Sequence, residues 1–161
     1  MTSVTQHPME LAGLERWNSD ACSIARTLEL LSSRSAFLVL REASYGTSRF
    51  DDFAARANIS EPVAAKRLAE LTDAGLLERE PYKEPGQRTR QRYVLTERGR
   101  DLLPALIALM QWGDRWLADG SGPIELTHRG CGEQVRAELR CAAGHEVGRG
   151  ELAAELRGKR R

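Results

Sequence analysis

The sequence predicts a mainly helical (α+β) fold with a small β component. Three observations predict it: two capped helical segments stand on either side of a three-residue break, two strand-like runs flank a Pro-Gly loop directly after them, and a long apolar helical pattern follows.

Taken in order, residues 1–19 are mixed in polarity and read as an arm, with a short helix around Leu11, Leu14 and Trp17. From Cys22 onward, Ile24, Leu28 and Leu31 recur at helical spacing. Ser32 and Ser33 interrupt, and a second apolar segment runs from Ala36 to Ala43. Phe37, Leu38, Val39 and Leu40 make it apolar all round; periodicity alone leaves a strand open, and the flanking helices decide for a buried helix. Tyr45-Gly46-Thr47 makes a turn, Ser48 is placed as an N-cap with Asp51 three residues on, and a helix follows through Phe50, Phe53, Ala54 and Ala57. After the break at Asn58-Ile59, Ser60 caps the next helix. Pro62 is tolerated in its first turn, where a missing N–H leaves no intrahelical acceptor unpaired. That helix runs to Ala74 and stops at Gly75. Helix, three-residue break, helix is the spacing of a helix-turn-helix.

Leu76 to Tyr82 then read as a strand, Lys83 to Thr89 as a loop through Pro85 and Gly86, and Arg90 to Thr96 as a second strand. A hairpin directly after a helix-turn-helix is a wing. Thr96 caps a long helix through Leu102, Leu103, Leu106, Ile107, Leu109, Met110, Trp112, Trp116 and Leu117, and Pro104 should kink it by removing the bond to the Arg100 carbonyl. Its apolar stripe, with Leu106, Leu109, Trp112 and Trp116, is wider than one small domain can cover, which predicts a homodimer. Gly120-Ser121-Gly122-Pro123 mark a boundary. The chain thus divides into an arm (1–19), a winged helix-turn-helix and dimerisation domain (20–118), and a small C-terminal element (124–161) with a hairpin from Glu133 to Arg140 and a basic end.

Composition narrows the function. The 161 residues are 41% hydrophobic and 29% charged, enough apolar content for a packed core. A net charge of +1 excludes a uniformly basic coat but not a local basic patch. No apolar run is long enough for a membrane span, and no apolar signal core opens the chain. Three scattered cysteines do not make a disulfide scaffold, so a reduced, cytoplasmic protein is expected. Catalytic signals are poor: there is no phosphate-cradling glycine loop, no dinucleotide fingerprint and no His-Glu-x-x-His pair, and residues 8–127 contain no histidine. The chain is not expected to be an enzyme.

The charge is unevenly placed. Residues 79–100 hold seven cations (Arg79, Lys83, Arg88, Arg90, Arg92, Arg98 and Arg100) against Glu80, Glu84 and Glu97, a local +4 in a chain of +1. An Arg-rich hairpin beside a groove neutralises phosphates and releases counterions. The N-terminal part of the second helix of a helix-turn-helix meets base edges, which selects Ser60, Glu61, Ala65 and Lys66 for the groove. Arg49 and Arg67 are placed for phosphates or for pairing with acids within the protein. Lys83, Arg88, Arg90 and Arg92 are placed on the wing for double-stranded DNA.

Seven short motifs in order resemble the HxlR family of winged-helix transcriptional regulators, a branch near the MarR proteins. They are Cys22-Ser23-Ile24, Leu40-Arg41-Glu42, Arg49-Phe50-Asp51, Arg67-Leu68-x-x-Leu71, Gly75-Leu76-Leu77-Glu78-Arg79, Leu95-Thr96-x-x-Gly99 and Gln111-Trp112-Gly113. The resemblance covers residues 20–118. It implies a homodimer, through the first and the long final helices, that reads a near-palindromic operator and represses until a small ligand or a redox signal releases it. It also makes Cys22 a redox candidate, against the plainer reading of a small half-buried core residue. Two departures stand out: Ser35 occupies a position the family gives to Trp, which would loosen or open a pocket near the first two helices, and Arg92 one it gives to an acid. The tail offers His128-x-x-Cys131 and Cys141-x-x-x-His145, a set that zinc accepts tetrahedrally. It resembles an extension of some family members in which a cysteine stands where this chain has Gly144, so His145 would have to substitute. Zinc and a metal-free β element both stay open. The competing function is a winged-helix protein-interaction module with no sequence-specific DNA binding; the wing arginines argue against it.

Overall fold

The computed structural model describes residues 11–12, 22–120, 122–148 and 150–155. Leu14 and Trp17 of the anticipated arm, and the basic residues 157–161, lie outside the described residues. Along the chain run β1 (Leu11–Ala12), α1 (Ser23–Leu31), α2 (Arg34–Ser44), α3 (Phe50–Arg56), α4 (Glu61–Asp73), β2 (Leu77–Tyr82), β3 (Arg90–Leu95), α5 (Glu97–Arg100), α6 (Leu103–Leu117) and β4 (Ala154–Glu155). The class is as expected: mainly α, with one antiparallel hairpin, β2–β3, in which Leu77 faces Leu95 and Tyr82 faces Arg90. No described helix is long and apolar enough to cross a membrane.

The core forms where α2, α3, α4 and the base of the hairpin meet. Val39, Leu40, Phe53 and Leu68 are wholly enclosed, which explains why α2, apolar all round, is a helix in the middle of the domain. Phe53 meets Tyr93 of β3 edge-on, with ring centroids 6.3 Å apart. Ser33 caps α2, its hydroxyl accepting from the Ala36 N–H at 3.2 Å.

Buried among these apolar side chains is one carboxylate, Glu42. Arg41 Nη2 donates to it at 2.6 Å, Arg56 Nε at 2.9 Å and Thr47 Oγ1 at 3.2 Å. Burial alone would raise its pKa. The bonds from Arg41 and Arg56, Arg41's charge and the Thr47 hydroxyl outweigh burial and hold it below its ordinary value. A depressed carboxylate contributes stability that is complete above its unfolded-state pKa and is lost as pH falls through the folded value. Glu42→Gln is therefore expected to cost about 2 kcal/mol at neutral pH. The gap to the parent should close as pH falls below about 4, measured by urea unfolding across that range; a gap constant with pH would remove the charge from the account.

Four local expectations need correction. Leu11 lies in a two-residue strand, not a helix, and pairs in parallel with β4 through Leu11–Ala154 and Ala12–Glu155. Arg49, not Ser48, is the N-cap of α3, because the Ser48 carbonyl accepts the Tyr93 N–H at 2.8 Å and is held as an extension of the hairpin ladder. The long final helix is broken rather than kinked: Thr96 caps only α5, and α6 restarts at Leu103 with Pro104 in its first turn, where a missing N–H is harmless. In the tail, strand pairing does not fall within 133–140 but at two bridges, Thr127–Gln134 and Arg140–Glu146. Each bridge closes a loop that turns on a glycine in the left-handed region, Gly132 (φ +79°) and Gly144 (φ +84°).

Candidate nucleic-acid interface

Both helices of the helix-turn-helix end in the same way. After α3, the Asn58 N–H donates to the Ala55 carbonyl and the Ile59 N–H to the Ala54 carbonyl, with Asn58 at φ +50°. After α4, Gly75 (φ +69°) and Leu76 donate to Thr72 and Leu71. These are Schellman caps, which reverse the chain in two residues. They fix the short turn into α4 and the immediate departure into β2.

Helix α4 turns Ala64, Leu68 and Leu71 inward and leaves Ser60, Glu61, Ala65 and Lys66 exposed. Ser60 is the N-cap, but its side chain makes no capping bond, so the hydroxyl is not engaged at the helix start. Lys66 Nζ lies 4.0 Å from Glu70 Oε1, a loose pair at an exposed site. Arg67 is different. Its side chain is 17% exposed, its Nε donates to Ser35 Oγ at 2.9 Å and its Nη1 pairs with Glu70. Ser35 thus receives the guanidinium of α4.

The wing separates its cations into two sets. Arg92 donates twice to Glu80 Oε2, at 2.9 and 2.7 Å, directly across the ladder. Arg79 lies over the Tyr93 ring, 5.6 Å from its centroid. Arg98 donates to the Ala74 carbonyl and Arg100 to the Leu95 carbonyl, both at 2.6 Å. Lys83, Arg88 and Arg90 are exposed around the loop, and among the described residues none of them forms an ion pair. The loop is a tight turn, with Pro85 before Gly86 (φ +76°) and the Gln87 N–H on the Glu84 carbonyl. Arg49, at the start of α3, pairs with Glu84 and stacks 5.5 Å from the Tyr82 centroid, which ties the root of the loop to the helix-turn-helix.

A brace that the sequence reading missed holds wing to helix. Thr96 Oγ1 lies 2.7 Å from the Gly75 carbonyl and 3.3 Å from that of Leu76, accepts from the Gly99 N–H at 3.1 Å, and the Thr96 N–H reaches the Leu76 carbonyl. Its signal was the Leu95-Thr96-x-x-Gly99 spacing. Gln111 also went unassigned: its amide donates to the Val135 carbonyl at 2.7 Å and accepts from the Ala137 N–H at 2.9 Å, tying the tail to α6.

Cys22 is the half-buried N-cap of α1, with no side-chain capping bond. In the tail, His128 Nδ1 lies 3.2 Å from Cys131 Sγ, and Cys141 and His145 close the second loop through a backbone bond. The two pairs do not converge: among the described residues no three His, Cys, Asp or Glu side chains gather as a metal would require. Each pair sits in its own bridged loop, closed at Thr127–Gln134 and at Arg140–Glu146.

A family model described as HxlR-like helix-turn-helix matches residues 30–121. The HTH-type transcriptional regulator Rv3095 of Mycobacterium tuberculosis (strain ATCC 25618 / H37Rv) is 42% identical over 127 residues, 78% of this chain and 79% of that protein. Among solved structures, the transcription factor PA1607 superposes with a TM-score of 0.72 at 27% identity, over 89% of this chain and 97% of that one. The redox regulator HypR in its oxidized form gives 0.53 at 26%, over 58% and 96%. With helix-turn-helix, wing and final helix all falling inside the matched span, the chain belongs to the HxlR-like helix-turn-helix family.

Proposed function

We propose that this helix-turn-helix transcriptional regulator acts as a homodimer, placing two copies of α4 and two wings on a near-palindromic operator as a repressor released by a small ligand or by oxidation. The observation that carries the DNA reading is the division of the wing's cations: the loop keeps Lys83, Arg88 and Arg90 unengaged by protein carboxylates, beside a helix whose first two turns present Ser60, Glu61, Ala65 and Lys66 to solvent. Dimerisation is supported by α6, fifteen residues long without one buried side chain. Trp112 and Trp116 are each 57% exposed and Ile24 of α1 is 72% exposed, an apolar area that marks an interface. Cys22 at the start of α1, and the redox function in the name of the neighbour HypR, support the oxidation arm.

Lys66→Ala and Ser60→Ala should change which operator sequence is preferred, by about 1–3 kcal/mol, the usual worth of a hydrogen bond to a base edge. Binding to a library of operator variants reads this directly. A uniform weakening across the library would mean that the two residues only position the helix. Light scattering of the same preparations should give twice the chain mass at micromolar concentration, and a stable monomer would defeat the dimer.

A further inference from the structure

A cavity of about 750 Å³ opens between α2, α6 and the tail. Phe37 and Leu38 come from α2, Ile107 and Met110 from α6, Leu126 and Val135 from the tail. The volume lies within the range of small-molecule sites, about 300–1,000 Å³. The third wall belongs to a segment beyond residue 121, where the family match ends, and the Gln111 amide holds it in place by bonding both sides of segment 135–137. Helical spacing puts Leu103, Ile107 and Met110 on a face of α6 away from Trp112 and Trp116, while Leu106 and Leu109 of the apolar stripe also line the cavity and form the edge the two share.

The charged groups at the cavity share one sign. Arg34 and Arg41 line it, and among the described residues no carboxylate does. Arg41 is neutralised by Glu42 at 2.6 Å. Arg34, exposed at the first position of α2, forms no ion pair among the described residues. Among the described residues the Tyr45 hydroxyl donates only to Met110 Sδ, at 3.6 Å, and a thioether is a weak acceptor that a better one would displace. Burial pushes the Tyr45 phenol up, with Arg41's charge opposing it and the charges of Glu42 and Asp114 adding to it, so it stays a donor.

We propose that this cavity binds a small apolar carboxylate, its hydrocarbon body between α2 and α6 and its anion on Arg34 and the Tyr45 hydroxyl. Helix α2 also packs on α4, so an occupant between α2 and α6 shifts the recognition helix relative to the final helix; that consequence rests on the proposed regulator, whereas binding itself does not.

Calorimetric titration of the full chain, without DNA, with sodium octanoate and with 1-octanol tests the site. Saturable binding of one octanoate per chain is expected, with octanol weaker by about ten- to a hundredfold for want of a charge-assisted bond. Arg34→Gln, at an exposed position, should remove that difference and leave octanol unchanged. Leu38→Trp should fill the space and Gln111→Ala should release the third wall, each weakening both compounds. Absence of saturable heat, or equal affinity for acid and alcohol, overturns the proposal. So does a Leu38→Trp chain that becomes monomeric while parent heats are nil, which would make the cavity part of an interface between copies. Octanoate binding by a chain that binds no DNA sustains the cavity and overturns the regulator; nil heat with operator binding intact overturns the cavity alone.

Discussion

Replacing Gly99 with Ala is expected to lower stability by about 3 kcal/mol, and Tm by roughly 10 °C. A methyl group on Gly99 would lie 2.2 Å from the Leu76 carbonyl oxygen and 2.9 Å from Leu95 Cδ2. The nearer atom is backbone, fixed at the exit of α4, and the same carbonyl accepts the Thr96 N–H. Relief requires α5 to move away, which pulls Thr96 from Gly75 and Leu76 and detaches the second strand of the wing from the recognition helix. Operator binding should fall with stability, because wing and helix would no longer share one frame. Differential scanning calorimetry decides the first part; a Tm within a few degrees of the parent would show that α5 is not pressed on Leu76. Thr96→Ser, which keeps the hydroxyl, should be mild by comparison.

The same region shows what the sequence could and could not disclose. Helix α4 was legible in full, inward stripe included, because a 3.6-residue period maps directly onto one face. Gly75 announced its end for the same reason that makes glycine the usual left-handed residue. Ser48 misled because its N-cap propensity was read without the partner strand: Tyr93, 45 positions away, claims the Ser48 carbonyl and delays the helix by one residue. Pro104 was read as a kink inside one helix, whereas an N-terminal proline serves equally well to start another. In the tail the glycines were visible but the loops they close were not, since pairing across 127–134 and 140–146 involves no hydrophobic alternation. The arginines were countable but not separable: whether a guanidinium faces solvent depends on cross-strand register, and register places Glu80 opposite Arg92.

That register yields the second large effect. Arg88→Ala combined with Arg90→Ala should weaken operator and random DNA alike and reduce the slope of log affinity against log salt by roughly 2 per subunit, one for each phosphate no longer neutralised. Arg92→Ala, although it removes the same charge from the same hairpin, should change the slope far less, because its guanidinium is held by Glu80 in the free protein and its recruitment to DNA would leave that carboxylate facing the phosphates. Arg98→Ala should likewise leave the slope nearly unchanged and act on stability, through the Ala74 carbonyl it now occupies. Measuring affinity for operator and random duplexes over a range of potassium chloride, with all three variants, separates charge that is present from charge that is available. A slope change for Arg92→Ala equal to half that of the Arg88→Ala, Arg90→Ala double variant would mean that DNA binding breaks the Glu80 pair and that the wing meets the backbone along its whole length rather than at its tip.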